Sequence, residues 1–137
     1  MNNNCIFCKI IGGEIPALTI YEDDLFKAIL DISPAAKGHT VLIPKKHFAN
    51  IYELDEEVAA KALTVAAKVA RGLKEELNCD GINIVQNNEE AAGQTIFHFH
   101  IHIIPRYHKD TLQMTWKQGA YAEGEDSQLA EALRNKI

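Results

Sequence analysis

Residues 98 to 104 read HFHIHII, which places three of the chain's six histidines on alternate positions with an apolar residue between each pair. Successive side chains of an extended chain point to opposite faces, so this alternation predicts a strand. His98, His100 and His102 share one face; Phe99, Ile101 and Ile103 share the other. A helix would not bring positions two apart together. The apolar set is aromatic or β-branched and suits a sheet surface packed on a core. Neighbouring imidazoles on such a strand lie roughly 6.5 Å apart, twice the rise per residue, so three rings can approach one small molecule from three points. A half-exposed strand alternates in this way simply because one face is solvated. Three imidazoles in register point instead to chemistry, because histidine changes charge near neutral pH and serves as base, donor or metal ligand.

The remaining patterns predict an α+β domain. CIFCKIIGGEIP reads as a short helical turn ended by Gly12 and Gly13, with Pro16 preventing continuation. TIYEDD and LFKAILD form a hairpin around an acidic turn, and HTVLIP follows as a third strand after the turn-prone SPAAKG. Asp55 caps a helix over residues 56 to 77, where Val58, Ala62, Leu63, Ala66, Val69, Ala70, Leu73 and Leu77 recur at helical spacing. GINIVQN and TIFHFHIHII are two further strands, joined by the polar loop NNEEAAGQ. A terminal helix is expected over residues 126 to 136, on the stripe Leu129, Ala132 and Leu133. The expected sheet therefore has about five antiparallel strands, with one long helix and one shorter C-terminal helix.

The 137 residues, 47% hydrophobic and 24% charged, suit one domain, with a core over 5–107 and an extension over 108–137. No run approaches the roughly 20 apolar residues that span a bilayer. The start MNNNCIF lacks the basic and apolar regions of a secretory signal, so a cytoplasmic protein without a membrane partner is expected. A net charge of −5 argues against a nucleic-acid-coating surface, though it leaves room for a local nucleotide pocket. Three cysteines, an odd number, do not make a disulfide framework. Just ahead of the histidine run, Gly93, Gln94 and Thr95 combine a backbone that lets a ligand come close with neutral side-chain donors suited to phosphate oxygens.

HFHIHII resembles the histidine, apolar, histidine, apolar, histidine motif of the histidine-triad (HIT) superfamily of nucleotide-binding hydrolases and transferases. DISPAAKGHTVLIPKKH at 31 to 47, the amino-terminal CIFCKIIGGEIPA and the GQT before the triad agree with it in order, so the likeness covers about residues 5 to 107. The resemblance implies that His100 is a nucleophile towards the α-phosphorus of a nucleoside phosphoramidate or dinucleoside polyphosphate. It further implies that His102 contacts a phosphate oxygen with help from Asn87, Gly93, Gln94 and Thr95, and that His39 supports them. Asp31 matches the carboxylate that grips the ribose hydroxyls, although a turn cap before Ser33 is its plain alternative. Phe7, Ile10, Ile29 and Ile32 align with an apolar base pocket, though scattered apolar residues also serve as core. A purine nucleotide or nucleotide conjugate is the expected ligand. A homodimer through the long helix and a strand is the expected assembly.

Cys5 and Cys8 have a spacing that can chelate a metal, and with His47 and His98 they match the structural zinc site of some bacterial members. A redox pair is the rival reading, but the strand-to-helix setting it requires is missing. Two unconnected thiols is another. Cys79 after the long helix reads as a packing residue. A rival to the structural zinc site is a catalytic metal held by all three triad histidines. For the whole protein, the contrasting function is a non-catalytic nucleotide sensor or partner-binding module on the same fold. GQT and the PRY after the triad are similar to dinucleoside polyphosphate hydrolases, whereas CIFCKIIGGEIPA is similar to the phosphoramidase branch.

Overall fold

Alternation along each strand decides which of two cores a residue joins. The structure is a computed structural model that describes residues 4–137. Its one sheet contains β1 (Thr19–Glu22), β2 (Phe26–Leu30), β3 (Thr40–Pro44), β4 (Gly81–Val85) and β5 (Ile101–Arg106), in spatial order β1-β2-β3-β5-β4. Each neighbouring pair is antiparallel. Phe26, Ala28, Leu42, Phe99, Ile101 and Ile103 face a core shared with the long helix α2 (Glu56–Leu77). Ile29, Val41 and Ile43 face the opposite way, into a smaller core with Phe7, Cys8 and Ile10 of the short helix α1 (Ile6–Ile11). The expected α+β architecture is what the chain adopts, and the histidine run lies on the α1 side of the sheet.

The long helix has the expected bounds and the expected cap. Asp55 Oδ1 accepts the Val58 amide at 2.9 Å, and Asn78 ends the helix in the left-handed conformation. Val58, Ala62, Val65, Ala66, Val69 and Leu73 are its buried residues. Burying a Val or Leu side chain contributes about 1.5–3 kcal/mol, against about 1 kcal/mol for a cap, so the apolar stripe anchors the helix. Leu63, expected on that stripe, is instead 68% exposed, and Val65 takes its place. Five residues beyond Val58, Leu63 lies about 140° round the helix, off the buried stripe and at the open edge where Ile84 of β4 and Ile101 of β5 line the same groove.

Several boundaries differ from expectation. The strand predicted over 95 to 104 joins the ladder only at Ile101. The pairing of Leu42 with Ile101 would carry Pro44 opposite Phe99, but proline has no amide hydrogen to donate, and the Pro44 carbonyl is taken by the His98 ring. Phe99 donates instead to the Phe48 carbonyl at 2.6 Å. The strand expected over 81 to 87 ends at Val85. The terminal helix α3 spans Glu125–Arg134, one residue earlier than expected at its start, and buries none of its residues. Arg106 secures the start of this extension with a forked pair of 2.9 Å bonds to Asp110, a further bond to Asn83 and another to the Leu112 carbonyl. No helix among the described residues is long and apolar enough to cross a membrane.

Gly38 leads into β3 and fixes where His39 begins. Its φ of +91° belongs to the region that favours glycine, and a Cβ there would run into Leu77 and come within 3.1 Å of Pro105. Gly38→Ala is therefore expected to destabilise the fold by about 2 kcal/mol or more, from left-handed strain and overpacking together. Gly81→Ala, where nothing lies within 4 Å of the added carbon, should stay within about 0.5 kcal/mol of the parent. Urea unfolding of the two variants checks both, and equal midpoints would overturn the assignment.

Candidate active site and metal centre

The histidine run keeps its alternation even where it leaves the ladder. Phe99 and Ile101 stay in the α2 core, so His98, His100 and His102 emerge together on the α1 side. Phe7 from α1 stands edge-on to both His98 and His100, with ring centroids 5.9 and 5.0 Å away. The three rings then divide between two clusters.

His98 is fully buried and turned towards the cysteines. Its Nε2 hydrogen goes to the Pro44 carbonyl at 2.8 Å, which leaves Nδ1 bare. That nitrogen lies 3.4 Å from Cys5 Sγ, 3.6 Å from Cys8 Sγ and 3.1 Å from His47 Nδ1. Cys8 Sγ is 3.3 Å from His47 Nδ1, and the four donor atoms all lie within 4.8 Å of one another. Each donor has its own local origin. Cys5 caps α1, Cys8 sits one turn on, and His47 follows the end of β3. Tetrahedral bonds to nitrogen and sulfur place ligand atoms roughly 3.3 to 3.8 Å apart, so the cluster has the size of a metal cage before any ion enters. Its second contacts also fit, since a ligating histidine commonly donates its other ring N–H to a carbonyl. A cavity of about 350 Å³ lined by Cys5, His47, Thr95 and Phe97 gives access from solvent. Burial is the largest cause that pushes His98 down to about 4, which keeps it neutral and able to ligate.

The second cluster is His100, His102, His39 and Asp31. His100 is 7% exposed and donates from Nδ1 to the His98 carbonyl at 2.7 Å, so its lone pair is on Nε2. Burial lowers its pKa. The His102 ring stands 4.9 Å from that of His100, centroid to centroid, and its Nδ1 is 2.9 Å from His39 Nε2. Burial, with His100 and His39 beside it, pushes His102 down to about 4. Asp31 Oδ2 lies 3.7 Å from His39 Nε2, yet burial of the His39 ring outweighs the carboxylate and lowers its pKa. At neutral pH the contact is therefore one between a neutral imidazole and a carboxylate. The other Asp31 oxygen accepts the Ser33 amide at 2.8 Å, as the turn-cap alternative would have it, and the two roles are compatible.

The loop before the run departs from what its residue types suggest. Gln94 is 2% exposed, and its amide donates to the Ala49 and Ile96 carbonyls while accepting from the Glu89 amide. In this arrangement both amide hydrogens already have main-chain partners, so the side chain braces the loop and does not present a donor to a phosphate. Thr95 is exposed, and Asn87 lies half-buried, its side-chain nitrogen 3.6 Å from where a Cβ on Gly93 would stand. Gly93 itself has φ +95°. Phe7, Ile10 and Ile29 belong to the smaller core, but Ile32 is 94% exposed and does not pack with them. Groups that had no side-chain cue in the sequence also take part: the carbonyls of Pro44 and His98, and the amide of Ala35, which donates to His39 Nδ1 at 3.0 Å.

Known proteins share this sequence and fold. Protein hit of Bacillus subtilis is 49% identical over 118 residues, covering 85% of this chain and 81% of the relative. The adenosine 5'-monophosphoramidase of Schizosaccharomyces pombe is 38% identical over 135 residues, 98% of each chain. Among solved structures, a HIT family protein from Bacillus subtilis superposes with a TM-score of 0.93 at 43% identity, over 98% of both chains. A zinc-bound histidine triad family protein from Mycobacterium smegmatis gives 0.76 at 39% identity, over 97% of this chain and 95% of that one. With the HIT domain profile matching residues 12–109, three imidazoles on one face of a five-stranded antiparallel sheet have their explanation: the chain belongs to the HIT domain family.

Proposed function

We propose that this chain is a hydrolase that cleaves at the α-phosphate of nucleoside phosphoramidates or dinucleoside polyphosphates through a nucleotidyl group carried on His100. The observation that carries this reading is the 2.7 Å bond from His100 Nδ1 to the His98 carbonyl. It leaves the Nε2 lone pair free to attack and holds the ring as the imidazole takes up positive charge. In the first step the Nε2–phosphorus bond forms as the bond to the amine or polyphosphate leaving group breaks. In the second, water breaks the Nε2–phosphorus bond, releasing a nucleoside monophosphate and restoring the ring. His102 then hydrogen-bonds a non-bridging oxygen, and Gly93, Thr95 and Asn87 line the phosphate side; such fixed donors matter because this chemistry depends chiefly on positioning and electrostatics. Gln94 holds their loop. Asp31 accepts from the ribose hydroxyls, and Phe7, Ile10 and Ile29 back the base. The kinship with a yeast adenosine 5'-monophosphoramidase favours a purine nucleotide conjugate.

Cys5, Cys8, His47 and His98 hold a structural zinc ion, which ties α1 to the end of β3 and to the histidine run. The donor set of two thiolates and two imidazoles suits zinc. The protein works as a cytoplasmic homodimer, with no nucleic-acid or membrane partner. Exposed Leu63 on α2 and Ile84 on the edge strand β4 support an interface there.

His100→Ala is expected to cut AMP release from an adenosine phosphoramidate by on the order of 10⁴-fold or more while nucleotide affinity, read by calorimetry, stays near the parent value. Substantial single-turnover chemistry in that variant would defeat the nucleophile assignment, and a parent inactive towards both substrate classes would favour the sensor reading. Protonation of Nε2 removes the attacking lone pair, and burial lowers the His100 pKa from its ordinary 6.5. Activity should therefore persist to lower pH than a free imidazole allows, with the acid limb of the kcat/KM profile below 6.5. A limb above that value would count against His100. Chelation of the metal should lower Tm by on the order of 10 °C, with turnover lost only as the protein unfolds. Immediate loss of turnover with the fold intact, followed by circular dichroism, would instead mark a catalytic metal.

A further inference from the structure

Two histidine clusters lie on the same face of the sheet, and each has its donor atoms close enough to enclose a cation. Cys5, Cys8, His47 and His98 form one; Asp31, His39 and His102 form the other, also within 4.8 Å of one another. Their outer contacts differ in sign. His98 meets a carbonyl, which can only accept, so the far ring nitrogen faces the cage without a hydrogen. His39 meets the main-chain amide of Ala35, which can only donate, at 3.0 Å on Nδ1.

We infer that the Ala35 amide sets the tautomers of His39 and His102 and thereby keeps transition metals out of the catalytic cluster. Because Nδ1 of His39 must accept, the single hydrogen of the neutral ring is on Nε2. That hydrogen points to His102 Nδ1 at 2.9 Å, while the Asp31 carboxylate stands 3.7 Å from the same nitrogen, beyond hydrogen-bond reach. His102 Nδ1 must therefore be bare, which puts the His102 hydrogen on Nε2 and makes that nitrogen a donor. Burial keeps both rings below their ordinary pKa, so each carries one hydrogen at neutral pH. A zinc ion on His39 Nε2 would need that nitrogen bare, and the ring hydrogen would then have to move to Nδ1, facing the Ala35 amide hydrogen. The outer contact that prepares His98 for a metal is thus inverted at His39. Ala35 acts through His39 and is a positioning residue. The inference rests on the hydrolase reading only for the use of His102 as a phosphate donor; the tautomers and the metal exclusion stand without it.

The test uses zinc-loaded protein with ¹⁵N-labelled histidine and does not read turnover, so a failure of His100 as nucleophile leaves its outcome unaffected. Two-bond ¹H–¹⁵N correlation at neutral pH should show His39 and His102 each carrying hydrogen on Nε2 and none on Nδ1. Hydrogen on Nδ1 of either ring in the parent overturns the inference, whatever the variant does. Replacing Ala35 with lactic acid exchanges the amide for an ester and removes the donor at nearly constant shape. Both rings should then lose their single tautomer together, and titrated zinc should bind as a second equivalent at least about tenfold more tightly than to the parent. Unchanged tautomers in the ester protein, a shift in His39 without one in His102, or a second zinc held equally well by the parent would each overturn it.

Discussion

The hydrogen bond from His98 Nε2 to the Pro44 carbonyl organises both halves of the site. It removes an acceptor that a continuing β3 and β5 ladder would use, so the histidine run bends away before Ile101. It aims His98 Nδ1 at Cys5, Cys8 and His47. The bend also leaves the His98 carbonyl outside the ladder, where it receives the Nδ1 hydrogen of His100. One residue thus joins the Cys5, Cys8 and His47 cluster by its side chain and orients the His100 ring by its backbone. The candidate metal cluster and the setting of the His100 ring are mechanically linked through it, although only the first concerns a donor atom.

Neutrality is the second condition, and burial supplies it. Imidazoles packed beside one another repel when charged and lose solvation when buried, and both effects favour the neutral ring. His98 and His102 are pushed to about 4 by that combination. The same property serves two ends. A neutral ring has a bare nitrogen for a metal in one cluster and a defined donor in the other. The partners of the two rings differ: a carbonyl at His98, and at His102 the His39 ring, itself held by the Ala35 amide. The HIT domain match begins at residue 12, after both cysteines, so the metal cage is assembled partly from outside the matched span, while the second cluster lies wholly within it.

Period-two and helical repeats made the sheet, the long helix and the shared histidine face readable, because burial on one side leaves its imprint on every second or every third to fourth residue. The cap at Asp55 was readable for a local reason, since its partner is three residues away. Leu63 and Val65 exchanged roles because the run AAKALTVAA offers apolar residues at many angles round the helix, and packing against the sheet selects Val65, about 20° from Val58, over Leu63, about 140° from it. Gln94 reads as a phosphate donor by type, yet its partner Ala49 is 45 residues away and contributes only a carbonyl. Main-chain groups are the same at every position and leave no trace in composition. That is why the carbonyls of Pro44 and His98 and the amide of Ala35 emerge only from the fold.

Asp31 shows how these constraints combine. A carboxylate beside a histidine invites the reading of an ion pair, but a charged His39 would carry a second hydrogen on Nδ1, directed at the Ala35 amide. Geometry and burial therefore agree on a neutral ring. Asp31 then faces a neutral ring and not a cation. One of its oxygens is engaged by the Ser33 amide, and the other lies 3.7 Å from His39 Nε2, beyond hydrogen-bond reach. Acceptor capacity remains on that second oxygen, which the ribose hydroxyls of the proposed substrate would require. The same amide that orients His39 towards His102 thus also leaves an Asp31 oxygen available.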